Sequence, residues 1–320
     1  MIGKHEVTVR NARLQYKFTI ERSVTILRGD SATGKTTLID MLDSYQRNGR
    51  SSGVEVRCDK PCLVLTGYNW QMNLSQIIDS IVFIDEGDDF VRSKDFASAI
   101  QKTDNYYVIA TRSVLPNISY SILEVYGIKN IAGNRYQGTK RLYSSFYPLH
   151  NSEIGITSSP DLVIVEDSNA GYEFFLDLFS EKSIPCISAH GKSNMLGEVQ
   201  KCNAENILLI ADGAAFGAEI DRILPLRYAK NIALFMPESF EWLILRSGLL
   251  RSSRVEAILA LPADYIESRE YFSWERFFTA LLTEETRQSY LKYSKKNLNP
   301  AYLQPREKAA ISALLPLEND

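Results

Sequence analysis

The sequence has 320 residues, 45% hydrophobic and 23% charged, with a formal net charge of −3; these values exclude a disordered or fibrous chain. The slight acidity also excludes a protein that grips nucleic acid through its overall charge, leaving only a local basic patch for that purpose. Single cores stop growing at about 250–300 residues, so two domains are expected.

Residues 6–12 and 14–20 alternate apolar and polar side chains, which predicts two half-buried antiparallel strands. Residues 23–28 (SVTILR) form a short β-rich run, and 37–47 (TLIDMLDSYQR) read as a helix. A turn-rich link at 49–53 leads to short strands at 53–58 and 62–65. SIVFI at 80–84 is a buried strand that runs into acidic residues, 93–102 is helical, and YYVIA at 106–110 is another buried strand. Strands alternating with helices predict an α/β fold with a mainly parallel sheet. The region 129–160 is rich in Gly, Ser, Asn and Tyr and reads as the passage to a second domain, with Ser158-Ser159-Pro160 as a joint. The boundary is set at 155, giving domains 1–155 and 156–320.

A second, smaller α/β pattern begins at Asp161. Strands are expected at 161–165 (DLVIV), 184–188, 207–211 (ILLIA) and 231–235, with helices at 172–182, 193–201 and 218–223. From 239 onward the chain reads as a helical extension that includes 273–282 and 286–298 (TRQSYLKYSKKNL). Aromatics beside Lys292, Lys295 and Lys296 suit nucleic acid, but aromatics at helical spacing are more often core.

Four cysteines, Cys58, Cys62, Cys186 and Cys202, fit a reducing compartment. Cys58 and Cys62 have a spacing found in some zinc sites, but no second Cys or His pair follows, so they read as ordinary thiols. The first twenty residues lack the apolar run of a signal peptide, and no stretch of about 18 apolar residues suggests a membrane span, so a cytoplasmic protein is expected.

Gly29-Asp30-Ser31-Ala32-Thr33-Gly34-Lys35-Thr36 matches G-x-x-x-x-G-K-[ST] in full, with a strand before it and a helix after it. Gly29 and Gly34 would let backbone wrap around phosphate, and the helix N-terminus offers its N–H groups, those of Thr36 and Thr37 included. Lys35 would reach the β- and γ-phosphates, and the Thr36 hydroxyl would ligate Mg²⁺. The expected ligand is therefore ATP with Mg²⁺. Asp85 and Glu86 end the run IVFI in a Walker B pattern: Asp85 is assigned to Mg²⁺ and Glu86 to activation of the attacking water. Thr111 or Arg112, at the end of YYVIA, is a candidate γ-phosphate sensor, with a solvated strand end as the alternative.

On these motifs, residues of roughly 5–115 resemble the nucleotide-binding core of ABC-class ATPases, or more broadly a minimal ABC- or AAA-like P-loop ATPase. The resemblance departs in lacking an LSGGQ-type signature, for which Leu74-Ser75-Gln76 has no glycines, and in having Thr111-Arg112 where a histidine is expected. Residues 161–240 resemble a Toprim domain: DLVIVE places Glu166 after the first strand, and ILLIAD places Asp212, with Gly217, after a later one. The second aspartate of that pattern is Ala214. The resemblance implies an acidic site for Mg²⁺ on Glu166 and Asp212, helped by Asp167, which the missing carboxylate leaves degenerate. Glu238 and Glu241, after 231–235, are candidates to add a carboxylate, but read rather as a solvated helix start, where acidic residues favour the helix dipole. ATPase followed by Toprim resembles the OLD family of mobile-element and phage-defence proteins. The expectation is an ATPase whose nucleotide state controls a Toprim-like domain acting on a nucleic-acid or protein partner. A non-hydrolysing ATP switch and an ATP-gated nuclease stand as alternatives.

Overall fold

The computed structural model describes residues 1–29, 33–131, 142–155 and 159–316. The chain is α/β and divides into two compact units. The first comprises Met1–His150 and Leu261–Phe272, the second Asn151–Ala260 and Ser273–Asp320. The sequence reading gives 261–272 to the second domain. The structure instead ties this segment to the first, where Gly3 N donates to Ala263 O at 2.8 Å and Ser268 Oγ to Asp104 O at 3.2 Å.

In the first unit, strands β1 (His5–Arg10), β2 (Leu14–Ile20) and β3 (Val24–Leu27) precede helix α1 (Lys35–Asn48). Then come β4 (Glu55–Arg57), β5 (Cys62–Val64), α2 (Trp70–Leu74), β6 (Ile81–Ile84), α3 (Lys94–Ile100), β7 (Tyr106–Ala110), β8 (Val125–Asn130) and β9 (Leu142–Pro148). They build one nine-stranded sheet, ordered β4-β1-β2-β9-β8-β3-β7-β6-β5. The strands from β8 through β3, β7 and β6 to β5 are parallel, whereas β4-β1, β1-β2 and β8-β9 pair antiparallel.

The two end strands of this sheet, β4 and β5, are consecutive in sequence and joined only by residues 58–61. Helix α1 packs against β1, β4 and β5, so the sheet curls around it. Leu38 and Leu42 on α1 are fully buried with Val7, Ile20, Phe83 and Val108 from the strands. Gln46 fastens α1 to β5, its Oε1 accepting from Val64 N at 2.6 Å.

The sequence reading makes 129–160 a passage between domains. The structure instead places β8 and β9 near the middle of the sheet, between β3 and β2. Gly127 lies opposite Tyr147 in that pair, and a Cβ there would come within 2.5 Å of the tyrosine ring.

The second unit holds a five-stranded sheet, ordered β10-β14-β13-β11-β12. Its strands are β10 (Glu153–Ile154), β11 (Leu162–Val165), β12 (Cys186–Ser188), β13 (Asn206–Ile210) and β14 (Asn231–Phe235); all pair parallel except β10 with β14. Its helices are α4 (Ala170–Ser180), α5 (Lys192–Lys201), α6 (Ile220–Ile223), α7 (Phe240–Arg246), α8 (Ser253–Ala260), α9 (Trp274–Thr286) and α10 (Pro305–Ser312).

The helix expected over 286–298 is absent, because α9 stops at Thr286. Beyond it side chains take over the backbone groups: Thr286 Oγ1 accepts from Tyr293 N at 2.9 Å, and Tyr302 OH donates to Leu291 O at 2.6 Å. Of the aromatics there, Phe278 and Tyr302 are fully buried, whereas Tyr290 is exposed. Among the described residues no helix is long and apolar enough to cross a membrane.

Candidate functional site

In the first unit the chemistry-bearing residues of three parallel strands emerge at one edge of the sheet. Strand β7 lies between β3 and β6, with Leu27 opposite Ala110 and Ile84 opposite Ile109. The chain therefore leaves β3 into the Gly29–Thr36 loop, leaves β6 into Asp85-Glu86, and leaves β7 into Thr111-Arg112, all at the carboxyl ends. Crevices at such strand ends are where ligands bind in open α/β sheets.

Asp30, Ser31 and Ala32 lie outside the described residues. Around them, Gly29 has φ +148° and Gly34, the residue that starts α1, has φ +92°. Gly34 lies in the left-handed region, which side-chain-bearing residues adopt at a cost. A second constraint comes from Tyr16 on β2, whose hydroxyl donates to Gly34 O at 3.1 Å and would stand 2.8 Å from a Cβ at that position. Tyr16 is buried, and burial pushes its phenol pKa up. Lys35 is buried too; its ammonium donates to Gly29 O and to Thr33 Oγ1, the latter at 3.2 Å. Thr36 and Thr37 are exposed on the first turn of α1. The Lys35 ammonium thus lies between Gly29 and Thr33, at the positive end of a 14-residue helix.

Asp85 Oδ1 is buried without a hydrogen-bond partner. An orphaned carboxylate oxygen is costly unless a cation or water meets it, so this atom fits a metal-binding role. Glu86 is differently placed: Arg112 grips both its oxygens, Nη2 to Oε1 at 2.8 Å and Nε to Oε2 at 3.2 Å. Of the two candidate sensors, Thr111 is buried and spends its hydroxyl on Ser113 O at 2.9 Å, while Arg112 is the exposed partner of Glu86. Beside this edge a cleft of about 330 Å³ opens between the loops after β5 and β6, lined by Gly67, Tyr68, Trp70, Asp88 and Phe90. Burial pushes the Asp88 carboxyl up, against a hydrogen bond from Gly67 N.

In the second unit, Glu166 and Asp212 follow adjacent parallel strands, β11 and β13, and the structure brings them together. Val165 is opposite Ile210, and Asp212 N donates to Glu166 Oε2 at 3.0 Å. Both residues keep some exposed surface, yet protein surrounds their carboxyls densely. Burial pushes Glu166 up to about 7, against the pull of Asp212 N–H and Lys192. Asp212 is pushed well up, first by burial and then by the charges of Glu275, Glu166 and Glu241. A water-sized space of about 10 Å³ adjoins the pair.

The neighbours of this pair were not legible as a set. Glu241 is buried and accepts from Tyr293 OH at 2.9 Å, which corrects its reading as part of a solvated helix start. Lys295 pairs with Glu275 at 2.6 Å; burial disfavours its charge, but Glu275, Glu241 and Asp212 outweigh that and raise its pKa. Asp167, read as a helper ligand, spends both oxygens at the start of α4, accepting from Ser168 N at 2.7 Å and Gly171 N at 2.9 Å. Ala214 is buried, and the backbone before it presses on β14's exit, where a Cβ on Gly213 would lie 2.4 Å from Met236 O. Among the described residues no group of three or more His, Cys, Asp or Glu is placed to hold a metal ion.

No protein-family model matches this sequence, and comparison with curated proteins gives no match.

Proposed function

We propose that the first unit binds ATP with Mg²⁺ and hydrolyses it, and that its nucleotide state controls a Toprim-like second unit with a degenerate acidic site. The observation that carries this reading is the convergence of Lys35, Asp85 and Glu86 at the carboxyl ends of β3 and β6, with β7 between. Lys35 and the N–H groups at the start of α1 would hold the β- and γ-phosphates. Thr36 and the orphaned Asp85 oxygen would hold Mg²⁺, which would neutralise charge developing on the phosphate oxygens. Glu86 would take the proton of the attacking water.

For the second unit, the support is the adjacency of Glu166 and Asp212, with Lys192 and Lys295 nearby. The buried Ala214 leaves two carboxylates where metal-dependent cleavage needs more, so we read this site as a binding or scaffolding surface rather than a nuclease.

One observation favours a second reading, a switch that binds ATP without hydrolysing it: Arg112 occupies both oxygens of Glu86. Turnover of ATP by the purified protein separates the two. On the first reading Lys35→Ala loses ATP binding by calorimetry, while Glu86→Gln keeps binding and slows turnover by about 10²–10⁴-fold. Unchanged affinity in Lys35→Ala would sink both readings, and a wild type that binds ATP without turnover would leave the switch.

A further inference from the structure

The four-residue link from β4 to β5 begins at Cys58 and runs into Cys62, the first residue of β5, which places two cysteines at the seam where the ends of the curled sheet meet around α1. Cys58 and Cys62 bracket Lys60: Lys60 N donates to Cys58 Sγ at 3.4 Å, and Cys62 Sγ donates to Lys60 O at 3.8 Å. Both sulfurs therefore lie against the backbone of one and the same residue. The link is held from both sides. Asp59 binds His5 Nδ1 at 2.8 Å, Lys60 pairs with Asp79, and Pro61 O accepts from Ile81 N at 2.8 Å. The sulfurs are therefore positioned by fixed backbone rather than by chance contact of mobile side chains.

The pair is asymmetric. Cys58 is half-buried and Cys62 buried. The neighbouring Cys62 thiol holds the Cys58 pKa below the ordinary cysteine value, helped by Lys60 N–H and opposed by burial and by Asp59, whose Oδ1 accepts from Cys58 Sγ at 3.5 Å. The same contact, with burial, drives Cys62 up. An accessible sulfur with thiolate character beside a buried partner is the arrangement of an attacking and a resolving cysteine. Metal binding does not account for it, because among the described residues no group of three or more His, Cys, Asp or Glu is arranged to hold a metal ion, and Asp59 beside Cys58 is engaged with His5.

We propose that Cys58 and Cys62 are a reversible oxidation site, closing to an intramolecular disulfide on reaction with a low-molecular-weight disulfide. The Cys58 thiolate attacks one sulfur of the small disulfide, whose S–S bond breaks, and the leaving thiolate takes a proton from solvent. The Cys62 sulfur, giving its proton to solvent, then attacks Cys58 in the mixed disulfide and expels the second small thiol. Two protein thiols are oxidised to one disulfide, and one small disulfide is reduced to two thiols. This site is independent of nucleotide binding, so its failure would not touch the ATP reading.

The test is incubation of the full chain with oxidised glutathione, alkylation of the remaining thiols, and mapping of tryptic peptides without reduction. Lys60 precedes Pro61, a bond trypsin leaves intact, so both cysteines fall in the peptide 58–92. The expected product is this peptide lighter by two hydrogens, unalkylated and without glutathione, and restored by a dithiol reductant. Cys62→Ser should retain glutathione on Cys58, whereas Cys58→Ser should take up none on Cys62 over the same time. Alanine at each position gives the same comparison should serine disturb the fold. Free thiols throughout, stable glutathione on wild-type Cys58, or equal uptake by Cys62 in Cys58→Ser would each overturn the proposal.

Discussion

Arg112 and Glu86, at the ends of neighbouring strands, form a two-pronged ion pair, with Nη2 2.8 Å from Oε1. Such a pair fixes the plane of the carboxylate as well as its position. It is partly exposed, so its contribution to stability is small, about 0–1 kcal/mol. Arg112→Ala should therefore melt within a few degrees of wild type. If Arg112 orients Glu86 for catalysis, the variant keeps its affinity for ATP and loses about tenfold or more in kcat. A variant that turns over faster than wild type would show that the arginine restrains Glu86 instead.

Gly34 and Tyr16 should be coupled. Gly34→Ala meets two obstacles, a positive φ and the Tyr16 hydroxyl 2.8 Å from the new Cβ. Strain of this kind costs about 1–3 kcal/mol. Tyr16→Phe loses one hydrogen bond, worth about 1 kcal/mol. Because phenylalanine also removes the atom that the new methyl would strike, the double variant should be less destabilised than the sum of the singles. Denaturant melts of the four proteins measure this, and strict additivity would rule out the contact.

Glu166 makes stability depend on pH in a defined direction. Its folded-state value of about 7 lies above the ordinary 4.5. Between those limits the native state holds a proton that the unfolded chain has released, so stability falls as pH rises from about 4.5 to about 7. The full shift would correspond to about 3 kcal/mol, less for a carboxyl that keeps some contact with water. Asp212, also raised, acts in the same direction. Thermal melts across this range should show Glu166→Gln gaining on wild type as pH rises. Parallel curves would mean that Glu166 titrates as an ordinary carboxyl.

The same pair should bind Mg²⁺ weakly and cleave little or no DNA. Plasmid incubated with the protein and Mg²⁺ or Mn²⁺ should stay intact. Robust cleavage, abolished by Glu166→Ala, would reverse the reading of a degenerate site.

The elements around the glycine-rich loop were legible because each carries a local signal: buried apolar runs in β3, β6 and β7, and glycines at fixed spacing before α1. Strands β8 and β9 were not, because VYGIKN and LYSSFYP dilute their alternation with glycine, serine and lysine. Gly127 lies within β8 because Tyr147 crosses it there, a contact no local pattern announces. The sites show the same division. Lys35, Asp85, Glu86, Glu166 and Asp212 follow recognisable strands. Tyr16 reaches the loop from another strand, and Glu275 and Lys295 reach Asp212 from the C-terminal segment, so no sequence window contains them together.

The return of Leu261–Phe272 to the first unit sets an order of events during synthesis. Everything from Asn151 to Ala260 must be made before this segment can pair with Gly3 and Asp104. At about 5–20 residues per second, that interval lasts on the order of ten seconds. A ribosome would thus hold an incomplete first unit while most of the five-stranded sheet is already available to fold. A chain cut after Ala260 would remain at that stage.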